Sequence, residues 1–116
     1  MRAVLIVSLV LATGIANAAT PQPITRATPR AGFGTRQNSV EFSQCLLDTV
    51  RPTYPATRVE QTKNGLLITV ASAAQVAAIV AVGDYMEGNG AAVTVRSSGA
   101  RQPETDPVYK AARGCA

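Results

Sequence analysis

Histidine and tryptophan are absent from this sequence of 116 residues, and aromatic side chains of any kind make up only 4% of it. Without histidine the chain lacks the side chain that most often acts as a general base near neutral pH, and the commonest zinc ligand. The only cysteines, Cys45 and Cys115, are too far apart for a Cys-x-x-Cys redox or metal motif. No glycine-rich phosphate loop, Ser-x-x-Lys motif or calcium-loop spacing occurs. These absences point to a protein that is not an enzyme and carries no cofactor or metal. The one catalytic chemistry left open is a carboxylate pair acting on a glycan. Its candidates are Glu41 with Asp48 and Asp84 with Glu87, and both pairs are expected to face solvent.

Charge is scarce as well. Charged residues are 16% of the chain, and the formal net charge of +4 is unevenly placed. Arg26, Arg30 and Arg36 lie within residues 19–37, a stretch without an acid. From Asn38 onward seven basic residues (Arg51, Arg58, Lys63, Arg96, Arg101, Lys110, Arg113) stand against seven acidic ones (Glu41, Asp48, Glu60, Asp84, Glu87, Glu104, Asp106). A formally neutral folded region argues against nucleic acid as the partner, because that function concentrates cations on one folded face.

The N-terminus has a recognisable layout. A basic Met1-Arg2 start, an apolar run from Ala3 to Ala12 and the small-residue triplet Ala16-Asn17-Ala18 are the three parts of a secretory signal peptide. The apolar run falls well short of the ~20 residues needed to span a bilayer, so residues 1–18 are expected to be removed rather than to anchor the chain. The mature protein is then periplasmic or secreted, with no transmembrane segment. In that oxidising setting the two cysteines are expected to pair as one disulfide, Cys45–Cys115; two free thiols or an intermolecular bridge is the alternative.

Residues 19–37, rich in Pro, Thr, Gly and Arg, are expected to form a flexible leader. Phe33, between two glycines, is the exception: it can dock on the domain or on a partner. Residues 38–116 are expected to be a single domain. Asn38 to Glu41 is a capping-box pattern, after which Phe42, Cys45, Leu46 and Val50 recur at helical spacing until Arg51-Pro52. The loop that follows holds Tyr54 between Pro52 and Pro55. It is either a rigid recognition loop or a ring laid over the core edge. Asn64-Gly65 reads as a type I′ hairpin turn between strands at Thr57–Gln61 and Leu66–Val70.

Ser72 to Gln75 resembles a second capping box, and Val76, Ile79, Val80, Gly83 and Met86 then fit the buried stripe of an alanine-rich helix. On that reading Asp84 and Glu87 sit in a last helical turn, where the macrodipole disfavours acids. Such a departure marks either exposed acids beside an arginine or a contact site that includes Tyr85. Gly88-Asn89-Gly90 turns the chain into a third strand, Ala91–Ser97. Asp106-Pro107 starts a short final helix that ends near Gly114.

The expected fold is therefore α+β, in the order αββαβα. Three strands form a mixed sheet with the helices packed on one face, in strand order 2-1-3, and the alternative places the Thr57 strand at an edge. The run Ile68-Thr69-Val70, the expected helix, Gly90 and Val93-Thr94-Val95 is similar to the second half of sporulation-related repeats. It also looks like the short periplasmic domains of secretins. The first resemblance implies peptidoglycan as a partner. The function expected is that of a small exported binding module of a bacterial-type cell envelope, for which an envelope protein is the other candidate partner. The alternative is an inhibitor of a secreted hydrolase. Candidate contact residues are Tyr54, Asp84, Tyr85 and Glu87, with Arg58 and Arg96 on the uncovered sheet face.

Overall fold

The structure is a computed structural model that describes residues 24–25, 28–98 and 103–116. The expected signal peptide and, within the leader, residues 19–23 and 26–27 lie outside the described residues. The elements run β1 (Arg30–Thr35), α1 (Ser39–Val50), β2 (Arg58–Thr62), β3 (Gly65–Ala71), β4 (Val76–Asp84) and β5 (Ala91–Ser97). A 3-10 turn at Pro103–Thr105 and α2 (Pro107–Cys115) are the last elements among the described residues. The strands form one five-stranded sheet in the order β1-β5-β4-β3-β2, and every neighbouring pair is antiparallel. The α+β class stands. The three-stranded mixed sheet and the αββαβα order do not.

The largest correction is β4. Its residues were expected to be helical, yet they form the central strand of the sheet. The helical reading rests on the stripe of Val76, Ile79, Val80, Gly83 and Met86 at helical spacing and on a cap pattern at Ser72. That cap is instead a hairpin turn, closed by the Ser72 N–H donating to the Gln75 carbonyl at 3.0 Å. Ala78, Val80 and Val82 are buried against the helices, while Ile79 and Ala81 are half-buried on the other face. Both faces of a central strand are apolar, so the polar–apolar alternation that identifies an exposed strand is missing. What remained was β-branched content, in Val76, Ile79, Val80 and Val82, and that favours a strand. With β4 a strand, the strand–helix–strand unit behind the resemblance to sporulation-related repeats is not present. The Thr57 strand, β2, is at the edge of the sheet rather than central.

The second correction concerns the leader. Residues 30–35 form edge strand β1 on β5, with Ala31 and Thr35 buried. Phe33 anchors it. The Phe33 ring lies 6.1 Å from that of Phe42 on α1 and meets Tyr109 on α2 edge-on at 5.8 Å, and the Arg113 guanidinium sits 5.0 Å above it. One half-buried aromatic thus ties an edge strand to both helices. We predict that Phe33→Ala costs about 2 kcal/mol in denaturant unfolding, less than the ~3–5 kcal/mol of a fully buried phenylalanine. Hydrogen exchange should rise first in β1, and an unchanged midpoint would show that β1 is not held this way.

Helix α1 forms where expected. Asn38 Oδ1 accepts the Glu41 N–H at 2.9 Å, and Glu41 Oε1 accepts the Asn38 N–H at 3.2 Å, completing the capping box. Phe42, Leu46 and Val50 form its buried stripe. Helix α2 begins on Asp106, whose carboxylate accepts the Val108 N–H at 2.8 Å, and Pro107 fills its first position. Cys45 and Cys115 are joined, so the two helices are bonded to each other on one face of the sheet. Beneath them lie Ile68, Val70, Val80, Val82, Val93 and Val95, all essentially inaccessible to solvent.

The β2–β3 hairpin is present, but its two turn residues are Lys63 and Asn64, with Thr62 paired to Gly65. No residue there has positive φ, so the turn is not type I′. Gly65 is needed for a different reason: a Cβ at that position would run into the backbone carbonyl of Val82 on β4.

Candidate binding surface

Helices cover one face of the sheet. Strand register then determines what the other face presents, because side chains alternate along each strand and line up across neighbours. Reading from β1 to β2, one row is Arg30, Arg96, Ile79, Thr69 and Arg58. The next is Gly32, Thr94, Ala81, Leu67 and Glu60. The third is Gly34, Ala92, Gly83, Gly65 and Thr62. The face is thus basic along one side, apolar and half-buried in the middle at Ile79, Ala81 and Leu67, and nearly free of side chains along the other.

Tyr85 bounds the small-residue side. Its hydroxyl lies over Gly34 and its ring over Gly90, close enough that a Cβ at either glycine would crowd it. Gly90 also has φ +115°, a conformation other residues rarely adopt. Gly83 has no such explanation. A Cβ there would meet nothing within 4 Å, and its φ is not in the left-handed region. A glycine inside a strand weakens the strand unless something approaches closely, and among the described residues nothing occupies the space a side chain would fill here.

The expected contact residues do not form one site. Arg58 and Arg96 are both on the uncovered face, in the same row and three strands apart. Tyr85 and Glu87 lie in the β4–β5 turn at one end of the sheet, where Met86 is 95% exposed. Two open grooves flank that turn. One, of about 410 Å3, runs between Arg36, Glu41, Tyr85 and Asn89. The other, of about 520 Å3, runs between Val40, Lys63, Leu66 and Met86. Tyr54 follows the C-terminal end of α1, where its N–H donates to the Val50 carbonyl at 2.7 Å and its ring packs against the core. Its carbonyl accepts the Thr57 hydroxyl at 2.7 Å, which fastens the loop to β2. Tyr54 lies over the core edge rather than on a projecting loop.

Asp84 has a structural task that the helical reading concealed. It ends β4 on the helix side of the sheet and takes two hydrogen bonds from Ser39, the first residue of α1. The Ser39 N–H donates at 2.7 Å and the Ser39 hydroxyl at 2.8 Å. A carboxylate at a helix N-terminus is favoured by the macrodipole, the reverse of the conflict expected. Of the carboxylate pairs considered for glycan chemistry, Asp84 is therefore engaged with Ser39, and Glu41 with Asn38. Among the described residues no cluster of three or more His, Cys, Asp or Glu could hold a metal ion. No helix among them is long and apolar enough to cross a membrane.

Arg30 is the surface residue that sequence reasoning missed, because it was counted with the leader. The available signal was the period-2 pattern of residues 30–35, in which Ala31, Phe33 and Thr35 alternate with Arg30, Gly32 and Gly34. No protein-family model, no curated protein and no solved structure matches the chain.

Proposed function

We propose that the chain is an exported, non-enzymatic binding module of the cell envelope, periplasmic or secreted, that binds its partner through the uncovered face of the sheet. The observation that carries this reading is the row of Arg30, Arg96 and Arg58, which contains no acid and borders a flat floor of glycine, alanine and half-buried Leu67 and Ile79. A sheet face that meets only water is usually covered with mixed polar side chains, and unpaired cations beside an apolar strip are a binding pattern. The disulfide supports export, since such bonds persist in oxidising compartments. The partner is an envelope protein or a cell-wall polymer.

One observation favours a second reading, an inhibitor of a secreted hydrolase. The β4–β5 turn projects Met86 almost fully into solvent from a hairpin tightened at Gly88 and Gly90. A single pair of variants separates the two. The mature, oxidised protein is passed over sacculus and solubilised envelope fractions together with Gly83→Leu and Met86→Ser. Gly83→Leu fills the open face without a clash at Cβ, and should keep the melting temperature while cutting retention by more than about tenfold. Met86→Ser should retain the partner normally. The opposite pattern would move the contact to the hairpin tip, and equal retention by all three proteins would remove the open face as the binding surface.

A further inference from the structure

We infer that the arginine row binds a linear polyanion through its phosphoryl groups, Arg30 and Arg96 clamping one group and Arg58 holding another farther along the ligand. The inference rests on the open face being the binding surface and specifies what that surface takes. Arg30 and Arg96 are direct register partners on neighbouring strands. Their Cβ atoms are therefore about 5 Å apart, and like charges placed directly opposite destabilise a sheet. Among the described residues no acid relieves that repulsion: the row holds none, and neither residue makes an ion pair. Arg96 Nε is in addition buried without a hydrogen-bond partner. A buried donor left unpaired is a cost that a bound acceptor would remove.

The chemistry of the acceptor follows from the clamp. Each guanidinium presents a planar fork that takes two oxygens. A carboxylate holds its two oxygens in one plane, where a single fork takes both, whereas the free oxygens of a phosphoryl group are placed tetrahedrally and can each turn to a different guanidinium. Arg58 sets the length of the ligand. It stands three strands beyond Arg96, about 14 Å away at ordinary strand spacing, with Ile79 and Thr69 between them. A single phosphate cannot reach both ends, but a chain of anionic groups lying across the strands can. Glu60, in the adjacent row beside Arg58, is the one acid on this part of the face and keeps the Arg58 end the weaker of the two.

The test uses the mature, oxidised protein with two probes, orthophosphate and long-chain inorganic polyphosphate, at constant ionic strength. Binding is read from backbone amide shifts, which also report folding. Polyphosphate should bind tightly, and orthophosphate weakly, with shifts confined to residues 30–32 and 94–97. Arg30→Gln, an exposed substitution, should weaken polyphosphate about tenfold and erase the orthophosphate shifts. Arg96→Gln should do the same. Arg58→Gln should weaken polyphosphate to a similar degree and leave the orthophosphate shifts intact. Arg51→Gln, a charge lost at the far end of α1, should change neither.

An Arg51→Gln effect as large as that of Arg30→Gln would overturn the inference, reducing it to diffuse charge. So would poly-glutamate of matched length binding as tightly as polyphosphate. Absence of polyphosphate binding, with envelope retention still lost in Gly83→Leu, would reject the phosphoryl clamp and leave the open face standing. Absence of both would reject the two together.

Discussion

A chain in which Cys45 and Cys115 are both replaced by alanine should lose about 4 kcal/mol of stability and melt roughly 15–30 °C below the oxidised protein. The bond spans a sequence separation of 70 residues, so cutting it frees most of the folded chain in the denatured ensemble. Its local effect is as large as its entropic one. Helix α2 has nine residues, too few to be helical alone, and buries only Val108, Ala112 and Cys115. Beyond the packing of Val108 and Ala112 in the core and of Tyr109 and Arg113 against the Phe33 ring, the disulfide is its one covalent attachment to α1. Amides from Ala111 to Cys115 should therefore exchange at nearly the unprotected rate in the double variant, before global unfolding. Denaturant curves give the energy and hydrogen exchange the location. A double variant that melts within a few degrees of the oxidised protein would show that apolar contacts alone hold α2 on the sheet.

The parts of the fold that were legible in the sequence are those written in local chemistry. Asn38 with Glu41 and Asp106 with Pro107 start helices because side-chain acceptors and a missing N–H act within one turn, whatever the rest of the chain does. The disulfide was legible by counting. Strand β3 was legible from its alternation beside a polar partner strand. Strands β4 and β1 were not, for opposite reasons. β4 is so central that both its faces are apolar, and a short apolar run carries no period by which a strand can be told from a helix. β1 is so sparse in apolar residues that its composition matches a linker. Only its contact with β5 and the packing of Phe33 on α1 and α2 make it a strand, and β5 and α2 are distant in sequence.

The same misreading redirected attention at the candidate site. With β4 taken for a helix, Arg58 and Arg96 could be assigned to an uncovered sheet face but not to a common row, since the register that aligns them runs through Ile79 of β4. Arg30 could not be included at all. A basic row spread over three strands separated in sequence is invisible to composition, which reports a folded region of balanced charge. Only strand order turns that balance into a local excess.

The second large effect is expected at Asp84. Asp84→Ala should cost about 3 kcal/mol, because it removes two hydrogen bonds to a carboxylate and leaves the N–H and hydroxyl of Ser39, which is only 4% exposed, without an acceptor. Asp84→Asn should cost only about 1 kcal/mol. The amide oxygen still accepts from the Ser39 N–H, the Ser39 hydroxyl can turn to accept from the amide nitrogen, and the interaction of the charge with the helix end is what is lost. Ser39→Ala should fall between the two, since Asp84 keeps the backbone donor. Urea unfolding of the three variants checks the order, and envelope retention checks its meaning. If Asp84 acts by joining β4 to α1, each variant that is still folded retains the partner as the parent protein does. Retention lost in Asp84→Asn at nearly unchanged stability would instead make Asp84 a contact residue, and would place the binding surface on the groove beside Tyr85 rather than on the open face.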